Sequence, residues 1–182
     1  MMNLELDWAA PIVPGQSMMG LHLGMSYSDV LTALQFYRVD VSEGNNDFLV
    51  RIKNSPLLLV EMLSDGIILR DTISKSPNAT SFDKLFVMGF KEGVLVHLMT
   101  SLIYGASFDY YKGLIFGKVG IGSPVANIRK FCEVEFDSGD ELFYPIDDAF
   151  VGFSIGGSCS SLEEDPDQLV SYIRIYVSAL NN

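Results

Sequence analysis

The chain has 182 residues, about half of them apolar, and a formal net charge of −11. That length holds one sizeable core or two small halves that share one, and the composition argues against disorder. The charge argues against direct contact with nucleic acid or an anionic membrane, both of which need cations, and it suits a basic protein partner.

The N-terminal stretch MMNLELDWAAPIVPG has no basic start and no long apolar run, so it does not read as a secretory signal. The apolar runs are short and broken by charge, as at Leu57–Val60 before Glu61, too short to cross a bilayer. The two cysteines, Cys132 and Cys159, are expected to be free thiols in a reducing, cytoplasmic setting.

In chain order the first predicted helix is Ser26–Phe36. Ser26 caps it, Asp29 completes an S-x-x-D box, and Val30, Leu31 and Leu34 recur at helical spacing. Strand patterns follow. Phe48–Lys53 alternates strictly. Leu57–Leu63 and Ile67–Ile73 flank the turn Ser64-Asp65-Gly66, and Leu85–Phe90 and Val94–Leu102 flank Lys91-Glu92-Gly93. Ser74–Ser81 reads as a loop with a Pro77-Asn78 step.

A second helix is predicted at Ser123–Phe131, with Ser123 as cap, Pro124 as first residue, and Val125, Ile128 and Phe131 on one face. Glu133–Phe136 and Glu141–Tyr144 then form a hairpin around Asp137-Ser138-Gly139-Asp140. Phe150–Ile155 and Ser171–Val177 complete the strands, and Ser158–Asp167 reads as a polar, acidic loop.

The segment from Gly24 to Val30 aligns without gaps on the segment from Gly122 to Ile128, and each glycine precedes a helix start. This suggests a repeated unit of turn, helix and antiparallel strands. The expected fold is therefore α+β: two similar helix-plus-antiparallel-sheet halves, residues 1–105 and 106–182. They would form one extended curved sheet in one globular unit, with both helices on one side.

Groupings for catalysis are sparse. The histidines, His22 and His97, lie in strand-like steps, and no H-E-x-x-H or C-x-x-C spacing occurs. The glycine-rich run Phe153–Ser158 lacks the lysine and the following helix of a phosphate loop, and a strand end explains it better. Cys132, at a helix end, is poorly placed to form a thiolate. No catalytic residue, metal site or cofactor is assigned, and the chain is not expected to be an enzyme.

Acidic residues are the richest class. Glu133, Glu135, Asp137, Asp140 and Glu141 crowd one hairpin, Asp147 and Asp148 follow, and Glu163, Glu164, Asp165 and Asp167 mark the later loop. Asp137-Ser138-Gly139-Asp140-Glu141 is too short for a twelve-residue calcium loop. Such a turn is a solvated hairpin, a docking surface or, less readily, a site for acid–base catalysis or a metal ion. Phe108, Tyr110 and Tyr111 surround Asp109, and Phe143 and Tyr144 lie close to Glu141. Aromatic rings near carboxylates serve either sheet packing or an interface with a basic partner. Asp137, Asp140, Glu141, Tyr144, Asp147 and Asp148 are the predicted partner contacts.

The run from Pro14-Gly15-Gln16-Ser17 through Gly20-Leu21-His22-Leu23-Gly24-Met25-Ser26 is similar to a P-G-x-S-x-G-x-x-L-G-M-S opening. That opening is found in small cytoplasmic bacterial proteins encoded beside contact-dependent or Rhs-type toxins, which act as their immunity proteins. The run from Gly117 to Ser123, followed by the run from Phe136 to Pro145, resembles their second half. The resemblance implies an immunity protein that binds a cognate toxin domain and blocks its active site or substrate groove. Binding in that family is through variable surfaces, so it carries over no contact residue. The charge makes a basic, nuclease-like domain the natural partner. The alternatives are a general cytosolic binding or regulatory module and, behind it, a carboxylate-dependent hydrolase.

Overall fold

The structure is a computed structural model that describes residues 4–39, 47–72, 84–102 and 110–177. The predicted loop Ser74–Ser81 lies outside the described residues, as do Phe108 and Asp109.

The fold is mixed α+β and mostly sheet. A two-stranded piece, β1 (Ser17–Met18) with β2 (Leu21–His22), leads to the helix α1 (Tyr27–Phe36). Then come β3 (Phe48–Val50), β4 (Leu58–Met62), β5 (Gly66–Asp71), β6 (Lys84–Lys91) and β7 (Val94–Ser101). A 3-10 helix, Val125–Lys130, precedes β8 (Val134–Asp137) and β9 (Leu142–Pro145). A short 3-10 turn, Asp148–Phe150, then leads to β10 (Phe153–Gly156) and β11 (Tyr172–Tyr176). Nine strands make one antiparallel sheet in the order β3-β4-β5-β6-β7-β11-β10-β9-β8; β3 and β8 are its outermost strands, and the stretch after α1 bonds to the outer side of β3 through Val39 N to Leu49 O and Arg51 N to Tyr37 O. The sheet is a meander of five strands and a meander of four, joined last strand to last strand.

The two stretches before the helices make matching bonds. Gly24 N donates to Leu95 O at 2.8 Å, and Gly122 N donates to Val170 O at 2.8 Å. Leu95 N returns to Met25 O, as Val170 N returns to Ser123 O. Tyr27 N donates to Gly93 O, as Val125 N donates to Gln168 O. Gly24 has φ 90° and Gly122 φ 82°, conformations a side chain resists, which explains a glycine at both places. Each pre-helical stretch is thus tied to the start of the last strand of its own meander. The β7–β11 ladder pairs Met99 with Arg174 at its middle, with Leu98↔Ile175 and Thr100↔Ile173 on either side.

α1 begins as its sequence predicts: Ser26 Oγ accepts from Asp29 N at 3.1 Å and donates to Asp29 Oδ2 at 2.6 Å. The second helix differs from expectation. It is 3-10 over Val125–Lys130, and no side chain caps it. Its apolar residues explain the difference: Val125, Ile128 and Phe131 recur every three residues, which matches the three-residue turn of a 3-10 helix and drifts off one face of an α-helix. Ser123 Oγ instead accepts from Gly120 N. The expected strand Phe150–Ile155 also starts late. Asp147 Oδ1 accepts from Ala149 N at 2.8 Å and winds Asp148–Phe150 into a turn, so β10 begins only after Gly152.

Alternation along the strands separates two faces. On one, Phe48, Val50, Val60, Leu69, Phe86, Leu98, Ile175, Phe153 and Phe143 join Val30 and Leu34 of α1 and Val125 and Ile128 of the 3-10 helix in a single apolar core. Trp8, Phe86 and Tyr111 meet inside it, with ring centroids 5.4 to 5.9 Å apart. Phe116 gathers Phe131, Phe150 and Phe153 in the same way. A fully buried ring such as Phe86 or Phe153 contributes about 1.5–3 kcal/mol by leaving water. The polar atoms that enter are paired: Trp8 Nε1 donates to Tyr110 O, and Tyr111 Oη donates to Ala10 O at 2.6 Å and accepts from Met19 N at 2.8 Å.

The opposite face carries Leu59, Glu61, Ile68, Arg70, Val87, His97, Met99, Tyr172, Arg174, Tyr176, Ser154, Tyr144, Glu135 and Asp137 by the same register. No described helix packs its buried residues there, and this face positions the candidate site.

Candidate functional site

The β8–β9 hairpin forms one edge of the sheet. Its turn is built locally. Asp137 Oδ1 accepts from Gly139 N at 2.7 Å and Asp140 N at 3.2 Å, which mimics a backbone turn. Glu141 closes the turn at φ 60°. Tyr144 Oη donates to Asp140 Oδ2 at 2.7 Å. Partial burial and that carboxylate push the Tyr144 phenol up to about 12, so it stays a donor.

Glu133, Glu135, Asp137, Asp140, Glu141, Asp147 and Asp148 are all exposed. Among the described residues none of the seven is in an ion pair; the pairs join Lys53 to Glu5 and Asp7, Arg70 to Glu61, and Arg129 to Glu163. The negative charge of this edge is therefore not taken up in ion pairs among the described residues.

The six predicted contact residues do not form one cluster. Asp137, Asp140, Glu141 and Tyr144 share the turn and its flank. Asp147 and Asp148 lie past the far end of β9, where Ile146 N donates to Glu133 O. At about 3.4 Å per residue, Asp147 is on the order of 20 Å along the strand from Glu141. Asp147 also has a structural task, since its carboxylate holds the 3-10 turn.

The cysteines are apart and free, Cys132 buried and Cys159 exposed. A hydrogen bond to Glu141, with some burial, pushes the Cys159 thiol up, and burial with nearby Asp147 does the same to Cys132. Neither is poised as a nucleophile. His22 is exposed on β2. His97 is half-buried, its ring lying where a side chain on Gly89 would be. Burial and then the charge of Arg174 pull the His97 pKa below its usual value, leaving a neutral imidazole. Among the described residues no three His, Cys, Asp or Glu side chains are grouped to hold a metal ion. No described helix is long and apolar enough to cross a membrane.

Sequence reasoning passed over the middle of the open face. Arg174 stands on β11 opposite Ser154 of β10 on one side and Met99 of β7 on the other. Its guanidinium carbon is 5.4 Å from the Tyr176 ring centroid. His97 is paired with Tyr176, and Ser101 with Tyr172. Tyr144 and Tyr172 both lie close enough to Arg174 for its charge to favour their ionised forms. Among the described residues Arg174 makes no ion pair. Its Nε is buried without a hydrogen-bond partner among the described residues, and so is the Oγ of Ser154, a residue with no exposed surface. The available signal was the alternation Tyr172, Arg174, Tyr176 between two buried isoleucines, a strand whose outer face is both aromatic and cationic.

The acidic loop before β11 is gathered around the Gln168 side chain. Gln168, 4% exposed, donates from Nε2 to Ser160 O, Ser161 O and Asp165 O, and its Oε1 accepts from Ser158 N. That clasp fixes the approach to Tyr172.

Comparison of the chain with protein-family models, with curated proteins and with solved structures finds no match.

Proposed function

We propose that this chain is a protein-binding module that neutralises a basic toxin domain, as the immunity proteins it resembles do, in the cytoplasm of the cell that makes it. The observation that carries the reading is the acidic edge: seven exposed carboxylates on and beside β8 and β9, none with a cationic partner among the described residues, in a chain of net charge −11. A field of one sign draws a basic partner in and orients it before contact. The partner's cations would come from the groove that binds a phosphate backbone, so occupying that groove blocks the enzyme.

The matching bonds at Gly24 and Gly122 and the centred β7–β11 register support a finer proposal, that the two halves arose by duplication of one helix-and-meander unit. A duplicated sheet offers a face wide enough to cover a substrate groove.

The test begins with capture of the partner from the native host, identification by mass spectrometry, and rescue of cells that express it. The triple variant Asp137→Lys, Asp140→Lys and Glu141→Lys is then compared with the parent. It should slow association about 10- to 100-fold at low salt, with a smaller effect at high salt. An unchanged association rate and affinity removes this edge from the interface, and failure to capture any stoichiometric protein partner removes the reading.

A further inference from the structure

The sheet has two outer strands, and the chain treats them differently. Beside β3 runs the stretch after α1: Val39 N donates to Leu49 O at 2.9 Å, and Arg51 N donates to Tyr37 O at 3.0 Å. Residues 37–47 separate α1 from β3, enough chain to turn back along that strand. In the second half only Phe131, Cys132 and Glu133 lie between the 3-10 helix and β8, too few to do the same. The ladder shows which groups this leaves open. Ile146 N donates to Glu133 O at 3.0 Å, so Glu133 and Ile146 are a hydrogen-bonded pair. Opposite residues of an antiparallel ladder alternate between bonded and non-bonded pairs. Glu135 and Asp137 therefore bond across to Tyr144 and Leu142, while the N–H and C=O of Val134 and Phe136 point away from β9. Pro145 agrees with that phase, since it stands opposite Val134 and has no N–H with which to form a bonded pair. Among the described residues no other backbone group bonds to any of these four. Val134 is 7% exposed and Phe136 more, whereas Val50, on the covered edge, is fully buried.

We propose that β8 accepts an extended segment of the protein partner as a further antiparallel strand, and that this segment carries lysine or arginine at alternate positions. The proposal rests on the reading of the chain as a binder of a basic protein, and it names the element of the partner that is held. Val134 and Phe136 offer two donors and two acceptors in line, which an extended backbone matches without any change in β8. Glu133, Glu135 and Asp137 alternate along the strand, so their carboxylates leave the same face, and all three are exposed. A residue opposite each would stand about 5 Å away between Cβ atoms, where an opposite charge is favourable and a like charge is not. Antiparallel pairing with a second copy of β8 is thereby disfavoured, because it would set these carboxylates against their own kind. On the other face, apolar residues of the segment would continue the core beside Val134 and Phe136, whose ring centroid is 5.0 Å from that of Phe143. The expected segment is thus amphipathic with a period of two, basic on the open face and apolar on the core face.

The probe is a short capped peptide of alternating lysine and valine, titrated into the full chain, with amide resonances and hydrogen exchange followed by NMR. In the free chain the Val134 and Phe136 amides should exchange fast. At saturation both should slow at least about tenfold, while the Glu135 and Asp137 amides, already bonded to β9, change less. The valines would face Val134 and Phe136, so N-methylation at the valines removes the donors turned to β8, and N-methylation at the lysines does not. The valine-methylated peptide should bind at least about tenfold more weakly than the lysine-methylated one. The same peptide with glutamate in place of lysine should not bind. Glu133→Gln with Glu135→Gln should weaken the lysine peptide severalfold and flatten its salt dependence; Asp137 is left in place because it builds the turn. The proposal is overturned by no binding, by equal binding of the two methylated peptides or of the glutamate peptide, or by an unchanged affinity in the glutamine variant. Binding that leaves the Val134 and Phe136 amides unprotected also overturns it. So does their protection in a concentration-dependent dimer without peptide, which would make a second copy the occupant. Partner capture and the charge-reversed turn are read independently. A peptide that fails here therefore leaves the toxin-inhibitor reading standing, and a failed capture leaves the strand site standing.

Discussion

Replacing Tyr111 with phenylalanine removes one oxygen atom from the middle of the core. That oxygen donates to Ala10 O at 2.6 Å and accepts from Met19 N at 2.8 Å, so a residue of the second meander's approach holds two points of the N-terminal segment. The ring is 1% exposed and keeps its contacts with Trp8 and Phe86 in the variant. What is lost is hydrogen bonding alone. Met19 is fully buried, so its N–H is left without an acceptor, at about 1–3 kcal/mol. Ala10 is only half-buried, and water can reach part of its carbonyl, so its share is smaller. The sum is about 2–4 kcal/mol, a large part of the 5–15 kcal/mol typical of a domain. Urea unfolding at neutral pH gives the stability difference, and hydrogen exchange at the Met19 amide should accelerate most. The same oxygen predicts alkaline behaviour. Burial raises the Tyr111 phenol above its ordinary value of 10.0, so above that pH the unfolded chain loses a proton that the folded chain keeps. Stability should therefore fall as pH rises past 10, and fall less steeply in Tyr111→Phe. A variant within about 0.5 kcal/mol of the parent, with an unchanged Met19 amide, would falsify the claim that this hydroxyl joins the two segments.

The acid side depends on His97. Its folded pKa lies below 6.5, so as pH falls through 6.5 the unfolded chain takes up a proton that the folded chain refuses, and stability declines. His97→Asn should flatten the fall of the melting temperature below that pH. Gly89→Ala should push the imidazole into solvent and restore its titration towards the ordinary value, read from the His97 ring resonances; an unaltered titration would mean that the ring does not rest on Gly89. Ser26→Ala removes the cap of α1 and the donor to Asp29, and should cost about 1 kcal/mol in urea unfolding. No measurable loss there would mean that the helix start is held by the Tyr27 and Gly24 backbone bonds alone.

The sequence by itself determined the elements whose signals are local. Ser26 and Asp29 start α1, since a hydroxyl and a carboxylate three residues apart satisfy each other whatever surrounds them. The hairpins at Asp65-Gly66, Glu92-Gly93 and Gly139-Asp140 follow from turn residues between alternating strands, and alternation also placed Phe48, Val50 and Ile52 inside. The second helix departs from its pattern over the difference between a spacing of three and of 3.6 residues, which six residues barely reveal, and Asp147, an acidic residue with no capping pattern around it, winds a turn. Only the tertiary structure decided the neighbours. That β7 lies beside β11 is a choice between edges far apart in sequence, and it alone places Met99, Arg174 and Ser154 in one row. It separated Asp147 and Asp148 from the hairpin turn, and it turned an unremarked arginine into the single cation at the centre of the described part of that open face's second half. Charge and turns are written residue by residue; which strands become neighbours is settled by how the two meanders share one core, and no local pattern carries it.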